Sequence, residues 1–342
     1  MTSIHSFRNA MLGACLALTS ASGVHAQDDF FRGKTLSMII GFGTGGGYDT
    51  YGRAFIRHFR NHIPGQPDIV LQNMPGAGGM VAANFLARSA RADGTAMMMF
   101  SPAVLIQPLI GNKNALFDPR RMHWLGKLDY DGMACVIRND AGIKQLADLK
   151  EKEIAFGSSG SGSNTAHHVM AMRSLLGVKA KIVHGYKGSN EITLALRRGE
   201  VGAMCGVAYS NLFVQLRDDL AKGDIRVLVQ LSSSTLPDFA GVENIYDMLK
   251  NDEDRGVATL VFKPNELGKA VGLPPDTPPA RVETLRQAFE KTVADPQFSG
   301  EMKKAGMPLF VSTGKEIVDS INQFYAMPAG VIARAKDIIG EE

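Results

Sequence analysis

The chain has 342 residues, of which 45% are hydrophobic and 21% are charged, and its formal net charge is +3 at pH 7. This length and composition are typical of a globular protein with a substantial core and room for two domains, and they exclude a disordered chain. The balanced charge, without a run of Lys and Arg that could follow a phosphate backbone, argues against a nucleic-acid partner.

The first 26 residues have the features of a secretory signal peptide. Arg8 supplies the positive charge, residues 10–18 form a short apolar run, and residues 24–26 form a small-x-small cleavage site. The run is far shorter than the roughly 20 apolar residues of a membrane-spanning helix. We therefore expect export to the periplasm with cleavage near Ala26. The segment before Cys15 also resembles a lipoprotein cleavage site, so a lipid anchor on Cys15 is the alternative.

Beyond this segment, short apolar runs alternate with amphipathic helical periods. In the first third, strands are predicted at 36–40, 69–72 and 96–100, and helices from Asp49 onward and at 80–90. In the middle third, strands are predicted at 134–138, 154–156, 181–184, 203–205 and 227–231, and helices from 164 or 165 to Gly177 and at 191–198. Strands that alternate with helices indicate an α/β fold with parallel sheets that carry helices on both faces.

From Leu236 onward the pattern changes. One helix carries Val282, Leu285 and Phe289 on a single face, and a last helix carries Ile317, Ile321 and Phe324. Because no glycine-rich loop precedes these helices, we expect them to serve as packing elements.

Two cysteines, Cys135 and Cys205, follow the predicted signal peptide. In an oxidising compartment they can pair, or each can be buried as a separate small residue, and the sequence leaves both alternatives open. The absence of a Cys-x-x-Cys spacing argues against a zinc site or thioredoxin-like chemistry.

Three glycine-rich loops, at 43–48, 75–79 and 157–163, each leave a predicted strand and enter a predicted helix. The first turn of a helix has backbone N–H groups without partners, and the peptide dipoles add about half a positive charge there. Such a helix start holds an anion without Arg or Lys, and glycine allows close approach to the backbone. Three such loops at the carboxyl ends of strands indicate a ligand with more than one anionic group.

The motifs in these loops resemble those of the Bug receptors, the extracytoplasmic solute-binding proteins of the tripartite tricarboxylate transporter family. The matching motifs are Gly-Thr-Gly-Gly-Gly-Tyr-Asp at 43–49 and Gln-Asn-Met-Pro-Gly-Ala-Gly-Gly at 72–79, followed in the family's order by segments at 92–95, 160–163, 185–188, 196–201, 237–239 and 295–298. The resemblance covers nearly the whole mature chain. It implies a type II periplasmic-binding-protein fold, with one lobe at 28–127 plus 235–342 and a second lobe at 128–234.

The resemblance also implies the site and the partners. The candidate ligand-binding residues are Gly45, Gly46, Gly47, Tyr48 and Asp49 at the first loop, Ala77 and Gly78 in the second, Ser158, Ser159, Ser163, Asn164 and Thr165 at the third, and Ser101 after the third strand. They would hold a small carboxylate, such as a di- or tricarboxylate or an aromatic acid, as the two lobes close by a hinge motion. The expected partners are membrane permease subunits, and the protein is expected to be a monomer without a cofactor.

The sequence departs from the family's pattern in several places. Thr44 stands where the first loop usually has proline. Many relatives have an aspartate suited to an amino-acid ammonium group after the segment at 196–201, whereas residues 202–206 here include no acid. This argues against an amino-acid ligand and leaves Tyr209 and Ser210 as candidate neutral wall residues. Tyr186 either closes over the ligand or packs in the core.

The strongest enzyme alternative is a nucleotide-dependent oxidoreductase, because Gly41, Gly43 and Gly46 satisfy the G-x-G-x-x-G pattern between a strand and a helix. That pattern also requires an acid at the end of the second strand, where Asn73 stands, while Asp68 comes before the strand. A ligand sensor without a transport role is a further alternative, which the sequence does not distinguish from a transport receptor.

Other catalytic interpretations of the sequence are weaker, and we do not expect the protein to be an enzyme. The loop at 157–163 does not have the G-x-S-x-G spacing of a serine hydrolase. His167 and His168 are adjacent, so they point to different faces of a helix and cannot form a metal pair; we expect them to be solvated or half-buried. Asp49 could act as a general base, but a place in the first turn of its helix, where the dipole favours a carboxylate, is the simpler prediction.

Overall fold

The structure is a computed structural model that describes residues 30–129, 132–233 and 235–340. The predicted signal peptide at 1–26, its cleavage near Ala26 and the alternative anchor at Cys15 lie outside these residues. In the described part of the chain, no helix has both the length and the apolar character needed to cross a membrane.

The helices and strands follow the alternation predicted for the first two thirds of the chain. The strands are β1 (Thr35–Ile40), β2 (Asp68–Asn73), β3 (Ala96–Phe100), β4 (His123–Lys127), β5 (Met133–Arg138), β6 (Ile154–Gly157), β7 (Ala180–Val183), β8 (Ala203–Ala208), β9 (Ile225–Gln230), β10 (Ala270–Leu273) and β11 (Ser312–Thr313). The helices are α1 (Gly47–His62), α2 (Met80–Arg88), α3 (Pro102–Leu105), α4 (Asn164–Leu176), α5 (Ser189–Arg198), α6 (Tyr209–Val214), α7 (Arg217–Lys222), α8 (Ile245–Met248), α9 (Asp252–Phe262), α10 (Pro279–Ala294), α11 (Pro296–Lys304), α12 (Gly314–Tyr325) and α13 (Ala329–Ile339).

Two sheets divide the fold into two lobes. The first lobe is built on a six-stranded sheet of order β11-β4-β10-β3-β1-β2, and the second on a five-stranded sheet of order β7-β6-β8-β5-β9. Strand β1 is parallel to β2 and β3, but β10 is antiparallel to β3 and β4, and β5 is antiparallel to β8 and β9. The prediction of parallel sheets was therefore wrong for β5 with β8 and β9, because apolar periodicity locates strands without giving the direction of their neighbours.

The C-terminal third differs from the prediction in two ways. Its packing helices are present, but β10 and β11 also return to the first sheet, and α13 follows the helix that was predicted to be the last. Strand β4 was not predicted either. β11 has only two residues, too few to show an apolar period.

The core of the first lobe forms where α1 meets α10 and α11. The predicted apolar face of α1 is confirmed, since Tyr51, Phe55 and Phe59 are all buried. The ring of Phe55 lies 5.6 Å from that of Phe289 and 6.3 Å from that of Phe298. Burying an aromatic side chain of this kind contributes about 1.5–3 kcal/mol, so these contacts hold the start of α1 in place beneath the first loop.

A disulfide crosslinks the second lobe, and helix α4 packs the second lobe against the first. Cys135 of β5 and Cys205 of β8 form a disulfide, which decides between the two alternatives that the sequence left open. Helix α4 packs on β8 and also against α9 and α13. One hydrophobic cluster includes Phe100 of the first lobe and Met172 of the second, so the core is continuous across this junction.

The histidine pair on α4 lies in this junction, and the prediction that these side chains are solvated or half-buried was wrong. His167 is 1% exposed and pairs with Gln107 at 3.1 Å, whereas His168 is fully buried and pairs with Asn265 at 3.0 Å. Burial, together with the neighbouring His167, lowers the pKa of His168 to about 3. The two rings do point to different partners, as adjacent residues on a helix should.

Candidate functional site

The first glycine-rich loop leads from β1 into α1, and an internal carboxylate holds its shape. Asp49, in the first turn of α1, is 3% exposed and accepts hydrogen bonds from Gly45 N (3.0 Å), Arg53 Nε (2.9 Å) and Asn73 Nδ2 (3.0 Å). Burial alone would raise the pKa of Asp49, but the hydrogen bonds from Arg53, Gly45 and Asn73 outweigh it and hold the pKa below its ordinary value. Asp49 is thus an ionised support of the loop with its acceptor oxygens occupied.

The start of α1 is left open on its other side. Gly46 precedes the helix and has no side-chain cap, and Gly45 has a φ of +78°, which favours glycine. No side chain therefore caps the start of α1, the end of a helix that can accept an external anion.

The second loop makes contact with the other lobe through its backbone. Gly78 has a φ of +67°, and a Cβ there would lie 2.7 Å from the Cα and N atoms of Ser163. A Cβ on Gly160 would likewise lie 3.1 Å from Gly78 N and 3.2 Å from Ala77 Cα. The second loop therefore packs backbone to backbone against the third, which requires glycine in both.

The third loop and the start of α4 are joined by a hydroxyl network. Ser163 Oγ lies 2.6 Å from Thr165 Oγ1 and donates to Gly160 O at 2.6 Å, and Ser158 Oγ lies 3.2 Å from both Thr165 Oγ1 and His184 Nδ1. Because these groups satisfy each other, the loop has a fixed shape before any ligand arrives. The first turn of α4 has neither an acidic residue nor a side-chain cap.

A small cavity of about 50 Å³ lies between the first loop, β3 and the third loop. The sequence-predicted residues that line it are Gly46, Gly47, Tyr48, Ser101, Ser159, Ser163, Asn164 and Thr165. Lining residues that sequence reasoning missed are Phe42, Met133, Ser189, Met204, Gly206, Ala208 and Asn211. Every one of these side chains is neutral, so the lining offers an anionic ligand no charged partner, and the starts of α1 and α4 are the helix ends that reach the cavity.

Residues of the second lobe close over the first loop. Lys187 O accepts from Gly43 N at 2.9 Å, and Gln215 Nε2 donates to Gly45 O at 3.2 Å. The carboxamide of Asn211 rests directly on Gly47, where a Cβ would lie 2.8 Å from Asn211 Cγ and closer still to Oδ1. The two lobes are thus in contact around the cavity.

The remaining predicted residues lie outside the cavity. Gly45, Asp49, Ala77, Gly78 and Ser158 support the loops as described above. Tyr186 packs near Gly157 in the apolar core of the second lobe, where burial raises its pKa. Tyr209 donates a hydrogen bond to Asp238 at the surface; burial and then this carboxylate raise the pKa of Tyr209 to about 12.

Ser210 faces a buried ion pair that the sequence did not reveal. Lys269 is 0% exposed and donates to Asp129 Oδ2 at 2.6 Å and to Ser210 Oγ at 3.2 Å. Its ammonium also lies 4.3 Å from the ring centre of Tyr51 and 5.5 Å from that of Tyr48. The pair lies just beyond the end of β4, where the chain leaves the first sheet for the second, and Tyr48 is the lining residue of the cavity near it.

The geometry of the first loop does not favour dinucleotide binding. Asp68 lies at the beginning of β2 and pairs with Arg60, while the strand ends at Asn73, whose amide donates to Phe42 O at 2.9 Å. The edge where a ribose would need a carboxylate therefore presents an amide. Within the described residues, no group of three His, Cys, Asp or Glu side chains is placed to hold a metal ion.

A sequence profile described as the receptor of the tripartite tricarboxylate transporter family matches residues 56–339. The chain belongs to this receptor family. Two relatives are a UPF0065 protein encoded in the gbd 5′ region of Cupriavidus necator, 25% identical over 94% of this chain and 93% of that one, and BugT of Bordetella pertussis, 28% identical over 70% and 73%.

Solved structures show the same fold. The periplasmic binding protein BugD matches with a TM-score of 0.71 and 19% identity over 89% of this chain and 98% of that one. Two proteins of Rhodopseudomonas palustris, MatC with bound malate and Rpa4515 with adipate, match with TM-scores of 0.69 and 0.68 at 18% identity, each over 89% and 98%. The fold is that of periplasmic binding proteins of the Bug type, as the sequence motifs predict.

Proposed function

We propose that this receptor captures a small carboxylate between its lobes in the periplasm and presents it to the membrane permease subunits of a tripartite tricarboxylate-type transporter. One observation carries the proposal: the starts of α1 and α4, from opposite lobes, face one neutral cavity. Neither helix start has a side-chain cap, and a helix start carries about half a positive charge, so a ligand with two anionic ends would join the lobes.

The family and its neighbours support the ligand class. The family is named for tricarboxylates, and the neighbours of known fold described above hold malate and adipate. The neutral wall at 202–206 offers no partner to an ammonium group. We assign direct ligand contact to the lining residues Gly46, Gly47, Tyr48, Ser101, Ser159, Ser163, Asn164 and Thr165, and a supporting role to Gly45, Asp49, Ala77, Gly78, Ser158, Tyr186, Tyr209 and Ser210.

Ligand entry requires the lobes to separate. A cavity of about 50 Å³ holds only a few water molecules, fewer than a di- or tricarboxylate displaces. We propose a hinge between one lobe at 28–127 plus 235–342 and another at 128–234, with the ligand favouring closure by its greater affinity for the closed state. The receptor acts as a monomer, and water bridges complete the contacts.

The test is calorimetry and a thermal melt of the chain from Gln27 with di-, tri- and aromatic carboxylates. Amino acids, sugars and nucleotides serve as comparison ligands. A carboxylate at 100 times its Kd should add about 2.7 kcal/mol to the free energy of unfolding. Stabilisation by a nucleotide or a sugar, with no response to any carboxylate, would refute the proposal.

Two single substitutions in the third loop test whether the ligand contacts this loop. Ser159→Ala removes a hydroxyl that lines the cavity and should weaken carboxylate binding by about fivefold, corresponding to the roughly 1 kcal/mol of one hydrogen bond. Ser161→Ala is the matched control, because it changes the same residue type in the same loop, where it faces a different surface depression. Equal affinities for the two variants would show that the ligand contacts the second lobe somewhere other than at Ser159.

A further inference from the structure

One polar side chain in the cavity wall lacks a partner for its acceptor atom. Asn211, on α6 of the second lobe, is 7% exposed and lines the cavity, and its Oδ1 is buried without a hydrogen bond. Its neighbours on the same helix are satisfied, since Ser210 accepts from Lys269 and the nearby Gln215 donates to Gly45 O. A buried acceptor without a donor destabilises the closed state, and a ligand that supplies the donor removes that penalty.

The place of this acceptor defines the ligand group that can reach it. The carboxamide of Asn211 rests on Gly47, the first residue of α1. A carboxylate bound to the first-turn N–H groups therefore has its adjacent carbon beside Asn211. A substituent on that carbon, rather than at the far end of the ligand, is the group that meets Oδ1.

The charges around the cavity select a neutral donor over an ammonium group. The carboxylate of Asp49 is occupied by Arg53, Asn73 and the backbone, and the lining side chains are neutral. An ammonium buried here would lack an anionic partner other than the ligand's own carboxylate. A hydroxyl carries no such penalty, and since it both donates and accepts, it pairs with either polar atom of a carboxamide.

On the basis of the proposed function, we propose that the ligand is a hydroxycarboxylate whose hydroxyl group, on the carbon next to the carboxylate, is recognised by Asn211. The carboxylate occupies the start of α1, and the hydroxyl donates to Asn211 Oδ1. Asn211 is thus the residue that distinguishes a hydroxy acid from its deoxy counterpart.

The test uses pairs of acids that differ only in the hydroxyl: malate in both enantiomers against succinate, and citrate against tricarballylate. Calorimetry on the wild-type protein should show at least one hydroxylated member binding about tenfold more tightly or better than its deoxy partner. Asn211→Leu, of similar size, should bring that ratio close to one. Asn190→Leu is the matched control, because Asn190 approaches the first loop at Gly45 but does not line the cavity, and it should keep the wild-type ratio.

The ratio within each variant is insensitive to a general loss of folded protein, since both acids report on the same sample. Carboxylate binding with no preference for the hydroxyl, or a preference that survives in Asn211→Leu, overturns the inference and leaves the proposed function standing. No binding of any carboxylate by the wild type overturns both.

Discussion

Gly47 provides the sharpest test of lobe closure, because a methyl group there meets an obstacle only when the lobes are together. Its Cβ would lie 2.8 Å from Asn211 Cγ and Nδ2, and closer still to Oδ1, whereas Cβ atoms in proteins rarely approach other atoms within 3.0 Å. Gly47 is also the first residue of α1, where alanine is a good helix former. Gly47→Ala should therefore keep or slightly raise stability while it opposes closure.

The size of the expected loss of affinity follows from the overlap between the added methyl group and the carboxamide of Asn211. Either Asn211 or the whole of α6 must shift by about 1 Å, and such overpacking costs about 1–3 kcal/mol. If closure is required for tight binding, the affinity for a carboxylate should fall by about 5- to 150-fold. Calorimetry measures this loss, and thermal unfolding without ligand checks the fold.

Two further variants make the prediction decisive. Gly330→Ala, in the first turn of α13, adds the same methyl group in a place where nothing lies within 4 Å, so it should leave binding unchanged. Gly47→Ala combined with Asn211→Ala removes the obstacle and should recover affinity for a deoxy acid such as succinate. Unchanged binding by Gly47→Ala would refute the closed arrangement, whereas a loss that persists in the double variant would mean that the methyl group blocks the ligand itself at Gly47.

Three other features give stability predictions. Since the pKa of His168 is about 3 when folded and 6.5 in the free side chain, only the unfolded chain binds its proton between these values. The free energy of unfolding should therefore fall as the pH drops from about 6.5 to about 3, by up to ~1.4 kcal/mol per pH unit, and less so in His168→Gln, as urea titrations at several pH values would show. Reduction of the Cys135–Cys205 disulfide, which spans 70 residues, should lower the free energy of unfolding by about 4 kcal/mol in a melt with and without reductant. Lys269→Met, which leaves Asp129 buried and unpaired, should cost about 3–5 kcal/mol in urea unfolding, and adding Asp129→Leu should restore most of it. The last expectation fails if the double variant is no more stable than the single one.

Local patterns in the sequence predicted most of the fold. The apolar face of α1 and the glycine that ends α4 are properties of neighbouring residues, so both were predictable. Strands β10 and β11 were not, because they join the first sheet by pairing with residues far along the chain, as Ala270 does with Phe100. Their direction within the sheet is likewise set by the long return of the chain from the second lobe.

The same distinction between features set by neighbouring residues and features set by distant ones applies to the site. The loops that begin α1 and α4 have a local signature, glycine between a strand and a helix, and the resemblance to the Bug receptors supplied the candidate residues within them. Asn211 and Lys269 have no such signature, since each matters only because another segment lies against it. The departure at 202–206 from the family's acidic pattern led us to expect Tyr209 and Ser210 in a neutral wall, whereas Met204 and Gly206 of the departing segment itself line the cavity.

The contacts between the lobes differ on the two sides of the cavity, and this indicates where it opens. On the α4 side, backbone packs directly on backbone at Gly78 and Ser163, next to a continuous apolar core. On the α5 side, the lobes are joined by isolated hydrogen bonds such as that from Gly43 N to Lys187 O, whereas at α6 Ser210 accepts a buried hydrogen bond from Lys269 and Asn211 packs on Gly47. Each isolated hydrogen bond on the α5 side contributes only about 1 kcal/mol net to closure. The contacts of a single bound carboxylate are therefore enough to shift the balance between open and closed lobes. We therefore expect the lobes to separate first at the α5 contacts, while the α4 and α6 sides stay nearer to the pivot, so that a ligand already held by the start of α1 completes closure by restoring the α5 contacts.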